Sequence, residues 1–112
     1  MTHASRHWRN QRATSIALVP LGLWFLISLL GQPSLDHGAV ADWFAQPLQA
    51  VLGALFGAAL LWHSMQGVQV VLEDYVGGWL RSFSIAVARL LHAAAGLVLA
   101  ASLARLVFGG AA

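Results

Sequence analysis

The sequence contains no cysteine and no lysine. The first absence excludes disulfides, thiolate metal sites and iron–sulfur clusters held by this chain, so a redox centre would rest on histidine or on another chain. Charge of either sign is scarce as well. Six arginines and four acidic residues make up 9% of the 112 residues, where a soluble domain carries roughly 25%. So few polar groups could not cover a water-facing surface. In their place, 59% of residues are hydrophobic and mean hydropathy is +0.72, which makes a bilayer the expected solvent. The pI near 10.6 reflects a net charge of only +2 and does not argue for a nucleic-acid partner. No internal repeat and no low-complexity segment is present.

The pattern predicts an all-α membrane protein with three spans. Residues 1–12 form a polar lead carrying Arg6, Arg9 and Arg12. Basic residues before an apolar run raise the possibility of a signal peptide, and arginine-rich starts also occur in transit peptides. The lead is short, the run is long, and Gly31-Gln32-Pro33 is a poor cleavage site, so a cytoplasmic tail is expected. Residues 13–112 are then a three-helix membrane domain, with helices at about 13–31, 47–72 and 83–108. At about 1.5 Å rise per residue the shortest covers roughly 28 Å, enough for a bilayer core. Pro20 is expected to kink the first helix, a cost that membrane helices absorb.

Between the first two helices, residues 32–46 hold Asp36, His37 and Asp42 but no arginine, and Trp43 and Phe44 suit an interfacial aromatic belt. The second polar connection, residues 73–82, turns at Gly77-Gly78 and holds Arg81. Arginine therefore favours the amino-terminal tail and the second connection, which places the N-terminus in the cytoplasm. Arg105 dissents and can snorkel. Within the second helix, Gly53 and Gly57 keep a small-xxx-small spacing that allows close helix packing.

The stretch from His63 to Tyr75 concentrates the chemistry. Eleven steps of about 100° bring Asp74 back to within roughly 20° of the face of His63, roughly 16 Å along the helix. Gly67 and Val70 share that stripe, so the surface one turn from the histidine lacks a side chain. An imidazole at that depth is hydrogen-bonded to a neighbouring helix, lines water, or ligates something; neutral imidazole is also a haem ligand, and Gly67 leaves room for a flat macrocycle. Glu73 reads as a solvated loop residue. Asp74 needs a cation, either Arg81 or an arginine of another chain. Tyr75 can donate a hydrogen bond to a quinone carbonyl beside a carboxylate on the proton path. On the third helix Ile85, Arg89, His92 and Gly96 form a comparable stripe. His92 is therefore either a second haem ligand from the same chain or, with Arg89, a residue bonded inside the bundle or to a propionate.

The pattern H-x10-D-Y, with Gly67 and the run from Val68 to Tyr75, resembles the D-type hydrophobic anchor subunit of succinate dehydrogenase, respiratory complex II, in its proteobacterial form. The run Arg12 to Leu18 and the three-helix length agree. The resemblance implies a bundle that holds haem b between two anchor subunits, each giving one axial histidine. It makes His63 this chain's haem ligand and the iron's metal ligand here. Tyr75 would bind ubiquinone, Asp74 would be the acidic neighbour at the same site, and Arg12 would lie beside the haem propionates. Partners would be a second, cytochrome b-type anchor, an iron–sulfur subunit and a flavoprotein subunit, at a bacterial inner membrane. Succinate would be oxidised on another chain. The rival readings are a fumarate reductase anchor working with menaquinone and a small non-redox membrane subunit.

Overall fold

Proline and glycine punctuate four helices in a computed structural model that describes the backbone of residues 3–109, with the side chains of Arg6 and residues 8–109. Helix α1 spans His3–Leu30, α2 His37–Ala45, α3 Pro47–Tyr75 and α4 Gly78–Phe108. The first two residues of the expected tail and the last three of the chain lie outside the described range. Three helices are long and apolar enough to cross a membrane: Trp8–Leu30, Pro47–Tyr75 and Gly78–Phe108.

Each span is longer at one end than its hydropathy suggests. Helix α1 begins at His3 rather than near Ala13, so Arg6, Arg9 and Arg12 ride on a helix. The apolar run marks where lipid begins, but nothing between residues 3 and 12 breaks a helix, and arginine and glutamine favour one. The helix then runs unbroken through Pro20. Helix α3 starts with Pro47 in its first turn, where a missing N–H costs nothing. It continues through Glu73, Asp74 and Tyr75, so these are helical rather than loop residues. Only Val76 and Gly77 then separate it from α4, which opens on Gly78 at φ 66°, a conformation glycine adopts without penalty. Arg81 Nε donates to the Val76 carbonyl at 2.7 Å and so satisfies an acceptor at the end of α3.

Helix α2 falls in what the hydropathy pattern marks as a plain connection. Its start is set by Asp36, whose carboxylate accepts the Ala39 N–H at 2.9 Å, an N-cap. Aromatic rings hold it down. Trp43 stacks on Trp24 of α1 at 5.5 Å between centroids, and Phe44 lies 6.2 Å from Phe25, which in turn lies 5.2 Å from Phe56 of α3.

Helix α3 is the middle of the arrangement. It packs against both α1 and α4, α2 closes over one end against α3 and α4, and α1 makes no close backbone approach to α4. The small residues do what their spacing implies, with two different neighbours. A Cβ on Gly53 would meet the Phe44 ring at 2.9 Å, and one on Gly57 would run into the Leu99 side chain of α4. Few side chains are buried, among them Ala41, Ala50 and Leu103. Large apolar residues such as Ile27, Leu90 and Leu97 face outward, as they do where the solvent is hydrocarbon and helices meet through small residues.

Candidate functional site

His63 lies on the side of α3 that faces α1. Its Nδ1 is 3.0 Å from Thr14 Oγ1, and that hydroxyl also lies 2.9 Å from the Asn10 carbonyl and 3.1 Å from that of Gln11. The other ring nitrogen, Nε2, has no partner among the described residues. Beside the ring, a groove of about 380 Å³ runs down α3 past Gly67, Val68 and Val71 to Leu72, with Gln11 of α1 on its far wall. Among the described residues a Cβ on Gly67 would meet no atom within 4 Å, so none of them requires a glycine there. The gap one turn from the histidine is real and open. In the same groove, Gln11 Oε1 is a buried acceptor without a hydrogen bond, the kind of atom that asks for an unseen partner.

His92 is differently placed. Its Nδ1 lies 2.8 Å from the Ala88 carbonyl and its Nε2 2.9 Å from Ser64 Oγ. A carbonyl only accepts, so in the neutral ring Nδ1 donates and Nε2 receives the serine proton. Both nitrogens are therefore engaged within the bundle. Arg89, on the same face, donates from Nη2 to Gln69 Oε1 at 3.3 Å. Gln69, only 8% exposed, passes the contact on by donating from Nε2 to Glu73 Oε1 at 2.9 Å. One expectation changes here. Glu73 is a half-buried helical residue rather than a solvated loop residue, and an amide joins it indirectly to a cation of α4. Gln69 had a sequence signal, a lone amide in an apolar run four residues before a carboxylate.

Asp74 and Tyr75 close the last turn of α3, past the lower end of the groove, and both are exposed, Tyr75 at 85%. Asp74 has no ion pair with Arg81, whose Nε is bonded to the Val76 carbonyl instead; the short link turns that guanidinium toward the helix end. Arg12 does not open its helix. It lies within α1, exposed, with its guanidinium 5.2 Å from the Trp8 ring, a cation–π contact. Two residues from Thr14, it is about 160° round the helix from the side that meets His63. A larger cavity of about 700 Å³ at the opposite end, between α2 and the end of α4, carries His37 and Arg105. Among the described residues no three His, Cys, Asp or Glu side chains converge to hold a metal ion, so a metal at His63 would need its other ligands from elsewhere.

Residues 1–105 match the family described as succinate dehydrogenase/fumarate reductase transmembrane subunit. Among curated proteins the chain is similar to the succinate dehydrogenase hydrophobic membrane anchor subunit of Rickettsia bellii, 35% identical over 72 residues. That match covers 64% of this chain and 58% of the relative. It is also similar to the subunits of the same name from Rickettsia felis, 33% identical over 72 residues, and Rickettsia conorii, 32% over 73. Each match covers 64% of this chain, with 60% and 58% of those relatives. The chain thus aligns with somewhat under two thirds of the length of these relatives.

Proposed function

The chain belongs to the succinate dehydrogenase/fumarate reductase transmembrane subunit family, and on that footing we propose that it anchors a succinate:ubiquinone oxidoreductase in a bacterial inner membrane. In this reading it co-binds haem b with a second, cytochrome b-type anchor. It also contributes to the site where electrons from an iron–sulfur subunit and a flavoprotein subunit reach the quinone. The amino terminus faces the cytoplasm.

The observation that carries the reading is the His63 side chain: one ring nitrogen held by Thr14, the other without a partner among the described residues, beside a groove left open at Gly67. These residues suit a haem. The donor is a neutral imidazole, the wall beside it is flat, and Gln11 supplies an unsatisfied amide at the edge. Haem b would supply a one-electron store between the subunits. A second ligand would come from the partner, since both nitrogens of His92 are already bonded. A pairing of Arg12 with a propionate rests on the family resemblance, since its guanidinium sits over Trp8 on the far side of α1 from His63.

Asp74 and Tyr75 stand roughly 16–18 Å further along α3 than His63. Quinone reduction takes two electrons and two protons. The Tyr75 hydroxyl can donate to a quinone carbonyl, and the neighbouring carboxylate can pass protons to it. Their exposure supports a site completed by other subunits. The second reading, a fumarate reductase anchor using menaquinone, rests on the family description, which covers both enzymes.

The test is made on the complex assembled in membranes. His63→Ala is expected to abolish or shift a b-type absorption spectrum, and His92→Ala to leave it in place. A spectrum unchanged in the first variant and lost in the second would move the ligand to α4. No b-type spectrum in the unmutated complex would leave a non-redox anchor.

A further inference from the structure

A histidine that is to ligate through one nitrogen must carry its proton on the other, and something must enforce that choice. The Thr14 hydroxyl has one proton and three close neighbours: His63 Nδ1 at 3.0 Å and the Asn10 and Gln11 carbonyls at 2.9 and 3.1 Å. If the proton pointed to Nδ1, the hydroxyl oxygen would face two carbonyl oxygens at those distances with no hydrogen between them. If it points to the carbonyls, the hydroxyl oxygen is free to accept, and Nδ1–H donates to it. Only the second arrangement suits the hydroxyl, Nδ1 and both carbonyls together. It leaves the proton on Nδ1 and a bare lone pair on Nε2.

We propose that Thr14 is the positioning residue that selects the tautomer of His63 and fixes its ring, so that Nε2 is presented to a metal. The proposal rests on the reading of His63 as a haem ligand. His92 gives an internal comparison. Its proton is fixed on Nδ1 by a backbone carbonyl in the same way, but Ser64 occupies its Nε2. His63 and His92 therefore carry the same tautomer, and of these two only His63 offers a nitrogen. The contact also crosses from α1 to α3, so it ties the orientation of the ring to the packing of the first two spans.

The test uses the complex assembled with its partner subunits, with Thr14→Val to remove the acceptor and Thr14→Ser to restore it. A hydrogen bond from Nδ1–H raises the donor strength of the ring, and loss of such a partner typically weakens metal binding about 10–100-fold. Thr14→Val is therefore expected to lose haem at least about tenfold more readily on dilution into detergent. It should also raise the haem reduction potential and alter the low-spin ferric resonance that reports ring orientation. Thr14→Ser should return all three toward the parent values. Independently of haem, ¹⁵N-histidine magnetic resonance of the complex from haem-deficient cells should show His63 protonated at Nδ1 and bare at Nε2. In Thr14→Val a population protonated at Nε2 should appear. Parent-like potential, resonance and haem retention in Thr14→Val overturn the proposal, as does an Nε2-protonated His63 in the parent. If Thr14→Val fails to assemble, the ring-nitrogen signals of the parent alone decide. Should His63→Ala keep the parent haem spectrum, the ligand reading itself fails and the role of Thr14 fails with it; a failure confined to Thr14 leaves the His63→Ala loss intact.

Discussion

Tyr75 is the only tyrosine of the chain, and its hydroxyl stands almost wholly free at the last residue of α3. A phenol so placed contributes little to packing, so its removal should be read in turnover. One hydrogen bond to a neutral carbonyl is worth about 0.5–1.5 kcal/mol, which corresponds to roughly two- to twelvefold in rate. Tyr75→Phe is expected to slow ubiquinone reduction by that order while leaving succinate oxidation with an upstream dye acceptor unchanged. Equal losses in both assays would assign Tyr75 to assembly. For Arg12 the informative change is Arg12→Lys, which keeps the charge and removes the planar fork that grips a carboxylate. A shifted haem potential is expected if the guanidinium reaches a propionate, and an unaltered one would leave it a topology determinant over Trp8. His63, Gly67, Asp74 and Tyr75 were legible from their spacing because they share one helix, where order in sequence is order in space. Thr14 was not, because it meets His63 across 49 residues of chain. Of the two cations open to Asp74, Arg81 turns instead to the Val76 carbonyl, because proximity in sequence does not say which way a side chain turns after a two-residue link.

At the scale of elements, the glycines of α3 differ in what replacing them should do. The Leu99 tip opposite Gly57 can rotate aside, whereas the Phe44 ring opposite Gly53 is hemmed in by Trp43 at 4.7 Å and Phe25 at 6.2 Å. Gly53→Ala is therefore expected to destabilise more than Gly57→Ala, by about 1–3 kcal/mol as overpacking typically does. Relative thermal inactivation of the two assembled variants measures it. Phe44→Leu should relieve the first variant. Helix α2 also has a pH dependence with a definite sign. The Ala39 N–H and Ser34 hydrogen bonds lower the Asp36 carboxyl below its ordinary 3.8, with His37 assisting against slight desolvation. A carboxyl lowered by folding stabilises the folded form above its unfolded value and stops doing so as pH falls through the folded one. The Asp36-dependent protection of the Ala39 amide from hydrogen exchange should thus stay constant above about pH 4, where the carboxylate is ionised, and fall only on further acidification. Asp36→Asn should keep the cap and abolish that dependence. The three long helices were legible from hydropathy, though their ends were not, since a helix continues past lipid until a cap or glycine stops it. Helix α2 escaped notice because nine residues are too few for a periodic signal. Its cap, at Asp36, reads equally well as a turn.

At the scale of the whole molecule, the three crossing helices and the distribution of arginine imply an orientation that the missing cysteines make easy to test. Ser34→Cys and Gly77→Cys each introduce one thiol at an opposite end of the bundle, in a chain that otherwise has none. In intact cells a membrane-impermeant maleimide is expected to modify the first and not the second, and in inverted vesicles the reverse. The opposite result would turn the proposed topology over. The layout also divides the chain mechanically. Helix α4 is leashed to α3 through Val76 and Gly77 alone, a tether that extends no further than about 3.6 Å per residue. The two helices consequently remain at very high effective concentration for one another however weak their interface becomes. Helix α1 is joined to α3 through sixteen residues that include α2, so its place beside His63 depends on side-chain contacts rather than on the leash. In a mixture of mild and denaturing detergents, α1 is the span that should depart first, and the histidine would lose its anchor before the hairpin behind it came apart.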